Sequence, residues 1–362
     1  FTAAIFLLIG ALVVNGQMQY IQRKNLGFNK ENIIVIPLQP STIGRIPTIK
    51  EELAQLPGVL NVSASANRPG GSDYGVPYVA VGLPEDRQPA MRCLTVDYDF
   101  LKTYQMEMAA GRAFQPEMAT DSAAYLINEA AARQLGWDNP VGQQLAMPAV
   151  GREPGPIIGV VKDFHFRSMH DPIIPLYIFM EPVWFSQLSI RVDGSRTRET
   201  LAALEENWTR FEPGFPFDYF FFDEVYDRLY RSEGRVSVMM RWFTILAVLI
   251  TCLGLLGLAA FITERRTKEI GIRKILGATV PGILRLLTKD VLRLVLLSLV
   301  LAAPLAWLAA RRWLEGYAYR SGIEWWYFAV AGAAAVLIAL LSISYHSLRA
   351  ALANPVEALR YE

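Results

Sequence analysis

The 362 residues are 52% hydrophobic and 19% charged, with the apolar residues gathered toward the two ends, which excludes a wholly soluble globular chain. A formal net charge of +1 excludes a global attraction to nucleic acid, so no nucleic-acid partner is expected and basic residues matter only where they cluster. Cys93 in the polar middle and Cys252 in an apolar run would have to pair across compartments, so no disulfide is expected.

In chain order, Phe1 opens in the middle of an apolar run, and Thr2 to Asn15 is shorter than the about 20 residues that a bilayer core requires. Residues 1–15 read as a first transmembrane helix truncated at its start, with further chain expected upstream. No small-residue cleavage pattern follows Val14, so the segment is read as a retained span. Residues 16–31 read as a stalk, in which Gly16 to Asn25 continue the first span as a polar helix.

From 32 to 222 short strands alternate with helices and are punctuated by Gly and Pro, the pattern of a mixed α/β extracytoplasmic domain. NIIVIPL is the first expected strand, and Ile46 to Leu56 a helix stopped by Pro57-Gly58. Further strands are expected at 79–82, 92–96, 124–127, 157–161, 188–192 and 218–222, and helices at 128–135 and 196–211. An outer subdomain at about 95–182 is expected as an insertion into one nearer the membrane. Residues 223–241 place Val225, Tyr226, Leu229 and Tyr230 at helical spacing, a second stalk helix with Gly234 as its weak point.

Three more spans follow, at 242–263, 291–310 and 325–347. Trp242, Trp325 and Trp326 supply interfacial anchors, and Pro304 should kink the third span. The fold class is thus membrane α-helical, with four transmembrane helices, plus a mixed α/β extracytoplasmic domain divisible into two subdomains. Residues 264–290 hold Arg265, Arg266, Lys268, Arg273, Lys274, Arg285 and Lys289, and the tail at 348–362 holds Arg349 and Arg360. The positive-inside rule puts both in the cytoplasm and the domain outside, with Arg311, Arg312 and Arg320 of the 311–324 loop as an exception.

The most informative stretch is ERRTKEIGIRKILGAT, Glu264 to Thr279. As a helix it sets Ile272, Ile275, Leu276 and Thr279 on one face and Arg266, Glu269 and Arg273 on another. Glu264 with Lys268 and Glu269 with Arg273 are i,i+4 pairs in the favourable order, each worth about 0.2–0.5 kcal/mol, and Gly277 supplies a stop. Such a helix suits a groove on a partner protein, while the plainer alternative is a basic anchor resting on membrane lipid headgroups.

The string EIGIRKILGA, preceded by ERR and a long apolar span, resembles the signature of MacB- and FtsX-like ABC transporter permeases, in which this element is the coupling helix against the ATPase. The tail NPVEALRYE resembles that of the same family, and GVVKDFHFRSMHDPI, Gly159 to Ile173, resembles a segment of eight-span Bacteroidetes-type members, of which this would be the C-terminal half. Carried over residue by residue, the resemblance implies ATPase contact for Glu264, Arg265, Arg266, Lys268, Glu269, Ile270, Gly271, Ile272, Arg273, Lys274, Gly277 and Ala278. It also implies a bacterial inner-membrane permease subunit whose periplasmic domain moves mechanically to export or extract a lipoprotein, peptide or drug. The implied partners are an ABC ATPase subunit, a second permease half or homodimer, and a periplasmic adaptor or substrate protein. The alternative within the resemblance is an FtsX-like sensor that signals without transport.

No G-x-x-x-x-G-K-[ST] occurs, so this chain is not expected to be an enzyme; ATP and Mg are expected on the partner and no cofactor here. His165 and His170, beside Asp163 and Asp171, match no strong zinc spacing and read as a strand end and turn, so no metal is expected. NRPGGSD, Asn67 to Asp73, reads as a mobile surface loop. No G-x-S-x-G or H-E-x-x-H appears, and no charge lies deep in a span.

Overall fold

A computed structural model describes residues 1–72, 74–265 and 280–352, grouped into a helical unit, 1–23 with 232 onward, and a mixed unit, 24–231. The first apolar run folds as α1 (Thr2–Arg23), 22 residues and roughly 33 Å long. The polar residues after Asn15 continue this helix as far as Arg23, within the expected Gly16 to Asn25. Gln17 within it is fully buried and paired: its Nε2 donates to the Tyr319 carbonyl at 3.0 Å, and its Oε1 accepts from the Ser321 N–H at 2.7 Å.

The mixed unit contains, in order, β1 (Ile33–Pro37), α2 (Ile46–Ala54), β2 (Val59–Ser65), β3 (Val79–Ala80), β4 (Arg92–Thr95), α3 (Phe100–Tyr104), β5 (Met108–Gly111) and β6 (Tyr125–Asn128). It continues with α4 (Glu129–Leu135), β7 (Gln144–Met147), β8 (Arg152–Val161), β9 (Leu176–Phe179), β10 (Gln187–Val192), α5 (Thr197–Phe211), β11 (Phe220–Phe221) and α6 (Phe222–Arg228). Two sheets result.

The first sheet is antiparallel, in the order β11-β1-β10-β2. The unbroken run Ile33-Ile34-Val35-Ile36 follows from burial of both faces. Ile34 and Ile36 join a core with Leu53 of α2 and Leu204 and Trp208 of α5, while Ile33 and Val35 join a second core. The second sheet is mixed, in the order β3-β7-β8-β6-β9-β4 with β5 beside β8. It too alternates: Leu126 and Ile178 enter the core shared with Ile33 and Val35, while Tyr125, Ile127, Tyr177 and Phe179 pack with Ala131 and Leu135 of α4. That sheet is inserted between β2 and β10, and it starts at Val79, earlier in the chain than the expected segment of about 95–182. Asn128 pins its helix: the side-chain carbonyl accepts from the N–H groups of Ala131 and Leu176, and the amide donates to Ile174.

Two expectations are corrected. Of NRPGGSD, Asn67 to Gly70 form a packed junction, because the Asn67 amide donates to the Cys93 carbonyl at 3.3 Å, Arg68 donates to the Gln187 side chain at 2.9 Å, and the Gly70 N–H donates to the Phe166 carbonyl at 2.7 Å, while Asp73 lies outside the described residues. Gly70 has φ +72°, and a Cβ there would meet the Tyr226 ring at 2.8 Å, so the glycine admits that ring. The second stalk helix is broken at Leu229-Tyr230, where bonds to Tyr226 and Asp227 are of the tighter i to i−3 kind, rather than at Gly234. The Tyr230 hydroxyl is held there by the Met169 N–H, at 2.9 Å.

The helical unit is completed by α7 (Arg231–Arg265), α8 (Val280–Leu314), with Pro304 inside it, and α9 (Trp325–Leu352). Among the described residues four helices are long and apolar enough to cross a membrane, with windows at Thr2–Arg23, Gly234–Leu258, Val291–Leu314 and Trp325–Ser342. Small residues at a spacing of four set the packing: Ala302, Ala306 and Ala310 of α8 share a core with Ala331, Ala335 and Ala339 of α9 and with Ile5, Ile9 and Val13 of α1. Gly16 of α1 lies where a Cβ would come 2.3 Å from the Tyr327 hydroxyl, so these helices approach on a position without a side chain. Leu255 of α7 joins the same core, while Trp242, Leu249, Ile250 and Leu253 stay exposed, as suits a lipid-facing surface. At the outer end of α8, Arg311 pairs with Glu315 and lies over the Trp307 ring, which offsets the charge that runs against the positive-inside rule.

Candidate functional site

Glu264 and Arg265 complete α7, and the Arg265 guanidinium stands 4.8 Å from the centre of the Phe261 ring. Arg266, Lys268, Glu269, Ile270, Gly271, Ile272, Arg273, Lys274, Gly277 and Ala278 lie outside the described residues.

Within the mixed unit, the segment entering after α1 and the segment leaving toward α7 meet in one aromatic cluster. Phe28 packs edge-on against Tyr226 of α6, with ring centroids 5.5 Å apart, and lies 5.9 Å from Phe222. Tyr104 of α3 meets Phe222 at 5.2 Å, and Lys30 forms an ion pair with Asp227. Arg191 of β10 locks the entering segment: Nε donates to the Thr103 carbonyl at 2.6 Å, Nη1 to that of Glu31 at 3.0 Å, and Nη2 to that of Asn29 at 2.8 Å. Burial lowers this guanidinium below its ordinary pKa, and the three carbonyl dipoles supply the solvation that water cannot.

A cleft of about 800 Å³ opens between the parts of the mixed unit built on the two sheets. At its floor Lys50 of α2 reaches the carboxylates of Asp97 and Asp99, which lie in the link from β4 to α3. Asp97 also accepts from the N–H groups of Ala64, at 2.7 Å, and Asp99, at 3.1 Å. Burial raises Asp97 and alone would lower Lys50; the two carboxylates outweigh it and hold Lys50 above its ordinary value. On the other wall Arg152 lies 5.1 Å from the Tyr125 ring centre and 5.2 Å from that of Phe179, with Glu181 at 3.6 Å.

His165 is buried, and its backbone N–H donates to the Leu26 carbonyl at 2.8 Å. His170 shares a hydrogen bond with the Ser168 hydroxyl, and Asp163 receives the Ala130 N–H and pairs with Arg133, work that belongs to the start of α4. Among the described residues no group of three or more His, Cys, Asp or Glu is arranged to hold a metal. Sequence reasoning missed Gln17, Lys50 and Arg191. Gln17 stands among Asn15, Gln19 and Gln22 with no local signal to set it apart; Arg191 had only its place in a strand whose neighbours are apolar.

Four apolar helices with a two-sheet α/β domain inserted after the first define a multi-pass membrane protein carrying one large domain outside the bilayer. The family model described as the MacB-like periplasmic core domain matches residues 2–209, and the one described as the FtsX-like permease C-terminal matches residues 241–355. The chain belongs to the MacB/FtsX-like family of ABC transporter permeases. It is accordingly an inner-membrane protein with its domain in the periplasm. A curated relative, the macrolide export ATP-binding/permease protein MacB 2 of Aeromonas hydrophila, is 25% identical over 201 residues. That match covers 52% of this chain and 31% of the relative, so the chain spans about a third of the relative's length. The crystal structure of the periplasmic region of MacB from Actinobacillus actinomycetemcomitans is similar over 56% of this chain and 92% of that one, with 12% identity and a TM-score of 0.39.

Proposed function

We propose that this chain is the permease subunit of an ABC system in which a separate ATPase docks on residues 264–278 and drives movements of the periplasmic domain that export or extract a cargo. ATP and Mg reside on the partner, and a second permease half or a second copy completes the membrane part. The name of the Aeromonas relative states macrolide export, so a drug stands with peptides and lipoproteins among the cargo classes.

One observation supports mechanical transmission: the entering and leaving segments of the domain are fastened to each other through Phe28, Phe222 and Tyr226 and to the sheets through Arg191. A displacement delivered through either connection reaches a packed cluster, whereas a Gly/Ser linker would absorb it. In the docking loop Ile270 and Ile272 supply apolar contact, the charged residues orientation, and Gly271 and Gly277 close backbone approach.

The test is ATP turnover and co-purification in membranes holding the chain and its ATPase. Glu269→Lys combined with Gly271→Trp should abolish recovery of the ATPase with the chain and the coupled activity. Retention of both would overturn the docking assignment.

A further inference from the structure

The cleft of the mixed unit has the volume of a small-ligand site, and its walls are largely apolar, with Ile43, Ile46, Pro47, Pro116, Val183 and Phe185 among them. Two cations, Lys50 and Arg152, and three carboxylates, Asp97, Asp99 and Glu181, also line it, which leaves one net negative charge. The cations are shielded and already engaged. The Lys50 side chain is 17% exposed and bonded to two carboxylates. That of Arg152 is 13% exposed and donates to the carbonyls of Met180, at 2.8 Å, and Ser122, at 2.5 Å. Asp97 is buried beneath three donors. The most exposed of these charges are Asp99, 41% exposed and paired with Lys50 at 2.8 Å, and Glu181, 36% exposed and 3.6 Å from Arg152; with Asp97 also on Lys50, the carboxylates outnumber the cations that face them.

We propose that this cleft binds an amphipathic cation, an apolar body bearing one positive charge, with the charge held by Asp99 and Glu181 and the body against the aliphatic walls. An anion of the same shape gains the same apolar contact but meets the cleft's net negative charge and its two exposed carboxylates, so sign discrimination is the signature of the site. The source of such a group is either a free organic cation or a basic side chain within an apolar peptide. The site is independent of the docking loop, since binding is read without ATPase.

Titration calorimetry on the full chain in nanodiscs, with empty nanodiscs subtracted, tests it with two matched pairs. These are tetraphenylphosphonium against tetraphenylborate, and acetyl-Leu-Leu-Lys-Leu-Leu-amide against its Glu counterpart. Saturable one-to-one binding of at least one cation is expected, and which cation binds identifies the source. Asp99→Asn with Glu181→Gln should weaken it roughly tenfold. Asp97 remains to hold Lys50 in that variant. Val183→Lys, on a residue 70% exposed at the cleft, should weaken it several-fold without touching the floor. Equal binding of the matched anions, unchanged affinity in both variants, or no saturable binding by either cation would overturn the proposal.

Discussion

The ring of Phe28 meets the ring of Tyr226 edge-on at 5.5 Å, so the strand of chain that enters the periplasmic domain is in contact with the helix by which it leaves. Both residues belong to the core that also holds Ile33, Leu94 and Ile178. Tyr226→Ala opens a cavity there and should cost about 3–5 kcal/mol, by analogy with other large-to-small core changes. Thermal unfolding followed by tryptophan fluorescence measures the loss, and an unchanged midpoint would remove this cluster from the argument for transmission.

Arg191 predicts a local effect. Arg191→Met leaves the carbonyls of Asn29, Glu31 and Thr103 without their donor, and Arg191→Lys cannot span all three with one compact ammonium. Amide hydrogen exchange should show protection lost at residues 26–32 in both variants, more in the Met form, with the α4 amides unchanged. Uniform loss across the domain would mean that Arg191 serves general stability and not the entering segment.

Gln17→Leu should lower stability although it makes the helix more apolar. Two backbone groups, the Tyr319 carbonyl and the Ser321 N–H, lose their partner, at about 1–3 kcal/mol each if water cannot replace it. Melting in detergent is the measurement, and a variant as stable as the parent would show that water reaches the 319–321 turn.

His165 sets a pH dependence. Burial first, and Lys24 second, hold its pKa at about 4 against an ordinary 6.5, with Asp163 pulling weakly the other way. The unfolded chain therefore takes up the proton first as pH falls. The domain should lose up to ~3 kcal/mol between pH 6.5 and 4 on this account, and nothing above that window. Melting curves from pH 7 to 4 should fall less steeply for His165→Gln than for the parent; equal slopes would contradict the assignment.

What the sequence shows and hides follows from the range of the forces involved. The run Ile33 to Ile36 and the helix before Pro57-Gly58 are legible because strand and helix periodicity and chain stops are written in contiguous residues. β2, with the sequence VLNVSAS, is not, because its serines are buried only once Gln187 and the partner strand cover them. Helix α3 and strand β9 are short and take their identity from packing, Phe100 and Tyr104 in one case and Ile178 in the other. Gln17 finds its partners about 300 positions away, and Lys50 and Arg191 find theirs across sheet connections, distances at which no local pattern speaks. The segment Glu264 to Thr279, proposed above to dock the ATPase, is the converse case: its motif is explicit in the sequence, and most of it lies outside the described residues.

The Arg191 clasp has one further consequence. A periplasmic domain shares its small ions with the surroundings, and an exposed ion pair such as Lys162 with Glu107 weakens as salt rises. Arg191 instead hands its three bonds to peptide carbonyls inside the fold, beyond the reach of mobile counterions. The grip on the entering segment is therefore the same in dilute and in salty medium, and a bacterium whose outside changes in salinity keeps one fastening that does not change with it.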